Sequence, residues 1–137
     1  SAFPDEAHFV SYLRLAPNLS ISAGKKVPSK IKGTTTSRVA GALRMAALAV
    51  RNSKTALGAF YRRISRRKGA SVAVFATARK ISQIIYRLVC YGQAYIDIGA
   101  KAYEAQFNNR RLKYYTKALK DMGYKVKPLA AEEAQTA

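Results

Sequence analysis

Cysteine and histidine are almost missing: Cys90 and His8 are the single copies in 137 residues. One cysteine excludes a disulfide framework and a cysteine-cluster zinc site within one chain. One histidine excludes any mechanism that needs two. No apolar run approaches the ~18–20 residues of a membrane span. The first residues lack the basic flank and apolar run of a secretory leader, so a secretory route is not expected.

Acid is the most informative absence. No Asp or Glu stands between Glu6 and Asp97, an interval that holds 17 of the 25 Lys and Arg. The net charge is +18. Surface helices ordinarily mix signs, because Glu–Lys pairs aid solubility and stability. Cation repulsion left uncompensated over ninety residues implies a polyanionic partner. Nucleic acid, bound through phosphate neutralisation, is the leading candidate. An anionic membrane surface is the competitor, but basic amphipathic anchors are short segments rather than domains.

What is present is a core. Apolar residues make up 49% and charged residues 23%, which excludes a disordered basic tail and gives one domain's worth of chain. Pro4-Asp5-Glu6 reads as a helix start, with a short helix to Arg14 and a break at Ala16-Pro17-Asn18. Residues 19–35 show no helical period and read as a long basic loop with room for a short hairpin. Helices follow at about 36–51, 56–68, 70–91 and 98–122. Their punctuation is Asn52-Ser53, Gly69, Gly92 and Gly123. Tyr124 to Leu129 reads as a short strand, and residues 130–137 as a flexible tail. The expected fold is an all-α domain of four to five helices over residues 1–129, with one long basic loop.

In the 70–91 helix, Val72, Phe75, Ala78, Ser82, Ile85 and Val89 form the expected buried stripe, widened by Ile81, Ile84 and Leu88. Cys90 is expected to be a packed thiol. His8 is expected to be a surface or packing residue rather than a base. Nine tyrosines invite a tyrosine-recombinase reading, but that chemistry needs an Arg/His constellation that one histidine serves poorly. Core and interface roles suit Tyr86, Tyr91, Tyr95 and Tyr103 better. Tyr114-Tyr115, among Arg110, Arg111, Lys113 and Lys117, suits either stacking on nucleic acid or a solvated face.

The loop carries the chemistry. It presents Ser20, Ser22 and Ser29, a pliable Ala23-Gly24, and Lys25, Lys26, Lys30 and Lys32, followed by Thr36 or Ser37 as helix cap and Arg38 in the first turn. Cations around a serine hydroxyl can stabilise a phosphoryl transition state, and they can equally make a phosphate-binding loop with no covalent role. Arg62, Arg63, Arg66, Arg67 and Lys68, with Arg51 on the preceding helix, would track phosphates.

The order of these pieces carries a resemblance. Leu13-Arg14-Leu15-Ala16-Pro17, then Ile21-Ser22-Ala23-Gly24-Lys25, then Ser37-Arg38 and Ala42-Leu43-Arg44-Met45-Ala46-Ala47 resemble the C-terminal transposase domain of the insertion-sequence 110 family. These are the Piv-like, bridge-RNA-guided serine recombinases. Leu57 to Arg63, Tyr91 to Asp97 and Tyr103-Glu104 resemble the 1111 subgroup in particular. Arg14, Ala23 and Ser37 stand where that pattern usually carries Gly, Gly and Asn.

The resemblance implies a DNA transposase in which Ser22 is the nucleophile and attacks a DNA phosphodiester. Lys25, Arg38 and Arg44 would contact the scissile phosphate or stabilise its charge. It further implies a structured guide RNA, a dimer or tetramer, and a prokaryotic, cytoplasmic, nucleoid-associated setting without membrane. The domain itself needs no metal. A RuvC-like domain, expected to be absent from this chain, would hold magnesium on four carboxylates, so the chain alone is expected to be inactive. The alternative is a non-catalytic helical nucleic-acid-binding module, which fits charge and helices equally well.

Overall fold

A computed structural model describes residues 2–16, 20–22, 25–27 and 37–127. Five α-helices dominate: α1 (Glu6–Tyr12), α2 (Arg38–Ala49), α3 (Ala56–Lys68), α4 (Ala70–Tyr91) and α5 (Gly99–Asp121). A 3₁₀ turn, Val50–Asn52, extends α2. The strands β1 (Ser20–Ser22) and β2 (Lys25–Val27) form the two-stranded hairpin for which the loop has room. The domain is therefore mainly α, as the periodicity predicts. Residues 124–127 form no strand; once Gly123 has closed α5 at φ +87°, they find no partner strand among the described residues. Positions 128 and 129 and the tail lie outside the described residues.

The chain divides into two compact units, Ser1–Tyr103 and Glu104–Ala137. In the first, α4 is the platform against which α1, α2 and α3 each pack. The hydrophobic core joins Val10, Leu13 and Leu15 to Leu43 and Ala47 of α2 and Ala78 of α4. Val10 and Leu13 are fully buried, each worth about 1.5–3 kcal/mol of transfer free energy.

Local chemistry explains how α1 reaches that core. Asp5 caps it, its carboxylate accepting the His8 N–H at 2.7 Å. Beyond the helix, Arg14 adopts φ +53°, and the Leu15 N–H returns to the Val10 carbonyl at 3.1 Å. This left-handed residue turns Leu15 back into the core. A left-handed φ is what glycine takes without steric cost, and here an arginine takes it.

The buried face of α4 differs from the expected stripe. Ala73, Thr77, Ala78, Ser82 and Tyr86 are buried, while Val72, Ile85, Leu88 and Val89 are exposed. Small side chains let neighbouring helices approach closely, and the Ser82 hydroxyl satisfies itself on the Arg79 carbonyl at 2.8 Å. Ala78 and Ser82 lie inward as expected and Phe75 and Ile81 pack against the core, but the buried arc extends to Ala73, Thr77 and Tyr86 instead of Val72, Ile85 and Val89. Cys90 is exposed, one turn past the part of α4 that its neighbours cover, and is not a packed thiol.

A second attachment holds α1 on α4. Glu6 makes a two-pronged pair with Arg87, at 2.7 Å to Nε and 3.1 Å to Nη2. The Tyr86 hydroxyl donates to the Phe3 carbonyl at 2.9 Å, and Phe9 stacks near Tyr86 with centroids 5.7 Å apart. The guanidinium beside Glu6 holds its carboxyl below the ordinary 4.5.

In the second unit, α5 has no buried residue. Arg111 lies between the Phe107 and Tyr115 rings, at 5.9 and 5.6 Å, and Tyr114 and Tyr115 meet edge-on at 5.5 Å.

Candidate nucleic-acid interface

The hairpin has a defined register: Ser20 opposite Val27, Ile21 opposite Lys26, and Ser22 opposite Lys25. The proposed nucleophile and the first cation after it are thus cross-strand partners. Two residues, 23 and 24, separate the strands, the length of the commonest hairpin connection. Those two residues, Lys30, Lys32, and the side chains of Ser22, Lys25 and Lys26 lie outside the described residues.

Ser37 caps α2, its hydroxyl accepting the Ala40 N–H at 3.4 Å, and Arg38 is exposed as the first helical residue. Arg44 does not stand free in solvent. Its guanidinium lies over the Phe75 ring of α4 at 5.6 Å, a contact worth about 0.5–1 kcal/mol.

The turn between α2 and α3 is built by hydroxyls and carbonyls. Ser53 Oγ donates to the Val50 carbonyl at 2.8 Å and lies 2.6 Å from Thr55 Oγ1. Thr55 in turn caps α3 by accepting the Gly58 N–H at 3.1 Å. Gly58 is required by space: a Cβ there would lie 2.5 Å from the Ser53 carbonyl and 2.6 Å from that of Val50. Arg62 closes the corner, its Nη1 donating to the carbonyls of Arg51 and Ser53, both at 2.8 Å.

Asp97 reaches back to the same corner. Its Oδ1 accepts the Ala56 N–H at 2.9 Å, 41 residues away in sequence, and its Oδ2 accepts the Gly99 N–H at 3.2 Å. The Ala100 N–H donates to the Lys54 carbonyl at 2.9 Å. The first acid after the cationic interval thus serves the N-termini of α3 and α5 together. Neither helix has an acid in its own first turn. The Tyr95 hydroxyl donates to Asp97 at 2.9 Å. Loss of hydration, reinforced by that bond and by the carboxylate's charge, pushes the Tyr95 phenol up to about 12.

Three of the sequence-predicted cations come together. Arg51, Arg62 and Arg66, with Asn52, Tyr61 and Ser65, line a cleft of about 340 Å³. Arg63 instead stacks against Phe60 and Tyr103, at 5.3 and 5.6 Å. Arg67 and Lys68 are exposed in the last turn of α3, where cations also suit the negative end of the helix dipole. Asn52 and Ser65 were not anticipated as members of this group. The i, i+4 spacing of Arg62 and Arg66 was the available signal. Among the described residues no carboxylate lies within 4.0 Å of these three arginines.

Among the described residues no three His, Cys, Asp or Glu side chains gather as metal ligands. No helix among them is long and apolar enough to cross a membrane.

Residues 1–62, spanning α1, the hairpin, α2 and the start of α3, match the sequence model of the transposase IS116/IS110/IS902 family. Over those residues the chain is similar to this transposase family. The match covers the stretch that carries Ser22, Lys25, Arg38 and Arg44. Searches of curated proteins and of solved structures return no match.

Proposed function

We propose that this chain is the serine-bearing domain of a DNA transposase of the recombinase type, with Ser22 as nucleophile. The observation that carries the reading is the family match over residues 1–62, the stretch in which Ser22 pairs in register with Lys25 just ahead of the Arg38 helix start. In the proposed step the Ser22 hydroxyl loses its proton and its oxygen bonds to phosphorus. The bond from phosphorus to the leaving strand's oxygen breaks, and that oxygen takes up a proton. Lys25, Arg38 and Arg44 would offset the charge gathering on the phosphoryl oxygens. Arg38 at the head of α2 adds the positive end of a helix dipole to that task. Lys26, Lys30, Lys32, Arg63, Arg67 and Lys68 would follow the strand beyond the reacting phosphate.

The finer features rest on the resemblance: 1111 subgroup, guide RNA, dimer or tetramer, cytoplasmic nucleoid setting. So does magnesium. The described residues offer no ligand cluster for it, and its carboxylates would belong to a RuvC-like domain outside this chain.

The test uses full-length protein with guide RNA, magnesium and a donor–target DNA pair. A covalent DNA–peptide adduct is expected at Ser22, mapped by mass spectrometry. Ser22→Ala is expected to abolish the adduct and strand exchange while retaining DNA binding. An adduct at another residue, or exchange surviving in Ser22→Ala, overturns the assignment. Binding with no adduct in any form leaves the non-catalytic module as the better account.

A further inference from the structure

We infer that the cleft between the end of α2 and the side of α3 is a seat for one backbone phosphate of a nucleic-acid strand, separate from the hairpin. The inference deepens the DNA-binding reading and rests on it, but needs no covalent step. Three arginines, Arg51, Arg62 and Arg66, line one concavity of about 340 Å³, and among the described residues no carboxylate is within 4.0 Å of any of them. Like charges brought together without a counter-charge cost stability, and an arriving anion removes that cost.

The arrangement is also pre-set. Both bonds that tie Arg62 to the Arg51 and Ser53 carbonyls leave from Nη1, so neither uses the donors on Nη2 and Nε. A guanidinium fixed in this way loses little freedom when it takes up a phosphate oxygen. Arg62 is thus both a positioning residue for the corner and a wall of the cleft. Arg51 and Arg66 are exposed and supply mobile charge, while Ser65 and Asn52 add neutral donors suited to phosphate oxygens. The size suits a phosphate group with its flanking sugar better than a stacked base, since the one ring at the wall, Tyr61, is buried.

The experiment follows the arginine side-chain N–H resonances of the protein by NMR. It is titrated in separate arms with a short DNA duplex, with inorganic phosphate, and with anionic phosphatidylglycerol vesicles. With DNA, the Arg51, Arg62 and Arg66 signals are expected to shift together. In binding assays, Arg51→Gln with Arg66→Gln should lower the slope of log affinity against log salt by up to about 0.9, the loss of one neutralised phosphate. Ser65→Ala should weaken binding about threefold with that slope unchanged. DNA binding that leaves these three signals unmoved overturns the inference. So does a shift with inorganic phosphate or vesicles but none with DNA. An unchanged salt slope in the double variant, with thermal stability retained, also overturns it. A missing Ser22 adduct would leave all these readouts intact, so the two proposals fail separately.

Discussion

Arg87 and Arg62 face the same problem and solve it differently. Arg87 fixes α1 onto α4 with a carboxylate, Glu6, one of only seven acids in the chain. Arg62 fixes the α2–α3 corner with two main-chain carbonyls. The first arrangement neutralises its cation; the second leaves the full charge in place. An acid is used where the protein holds itself together. At the α2–α3 corner the arginine is held by neutral acceptors, and the carboxylate that reaches there, Asp97, takes main-chain N–H groups instead.

That contrast can be broken at the corner first. Gly58→Ala drives a methyl group into the Ser53 and Val50 carbonyls, so backbone must move. A loss of about 3 kcal/mol is expected by urea denaturation, at the upper end for overpacking. A loss below about 1 kcal/mol would show that the corner yields easily. Next comes Asp97→Ala, which strips the Ala56 and Gly99 N–H groups of their acceptor. About 1–2 kcal/mol is expected, the usual range for a lost cap. Amide exchange should quicken at those two N–H groups first; uniform exchange across the molecule would contradict a local role.

The other side of the comparison is sharpened by Glu6→Gln, expected to cost about 1 kcal/mol at pH 7. Its pH dependence has a definite sign. The folded carboxyl lies below its ordinary 4.5, so its stabilisation is complete above that value. It is lost as the pH falls through the lower, folded value. The variant should show a shallower acid-side decline in melting temperature than the parent. Some decline remains, because Asp5 is also lowered, first by accepting the His8 main-chain N–H. An identical acid limb in both proteins would remove Glu6 from the account. The smallest effect is a gain: Arg14→Gly relieves the left-handed φ and should stabilise by about 0.5 kcal/mol. Destabilisation would mean that the arginine side chain contributes more than its backbone costs.

Helices were the most legible part of this molecule. Gly69 alone fixes the boundary between α3 and α4, because glycine can take the φ of +89° that ends one helix and starts the next. The inward face of α4 was legible only in part: Ala78 and Ser82 are buried as expected, but Thr77 and Tyr86 are buried where Ile85 and Val89 are not. The choice of Ser22 among the loop serines rests on resemblance alone, because basic Ser/Gly loops have many uses. The register that sets Ser22 against Lys25, the carbonyl bonds of Arg62 and the reach of Asp97 across 41 residues are all tertiary facts. Periodicity carries no record of them.

The core described above has a consequence for the order in which the chain is made. Val10, Leu13 and Leu43 close around Ala78, and the start of α3 waits for Asp97. Once residue 62 has been made, the family-matched segment still lacks α4, which carries Ala78, and Asp97, which serves the start of α3. Thirty-odd further residues, about 2–7 seconds of synthesis at ordinary elongation rates, must follow before both are in place. The segment that matches the family is thus completed by chain that the match does not include.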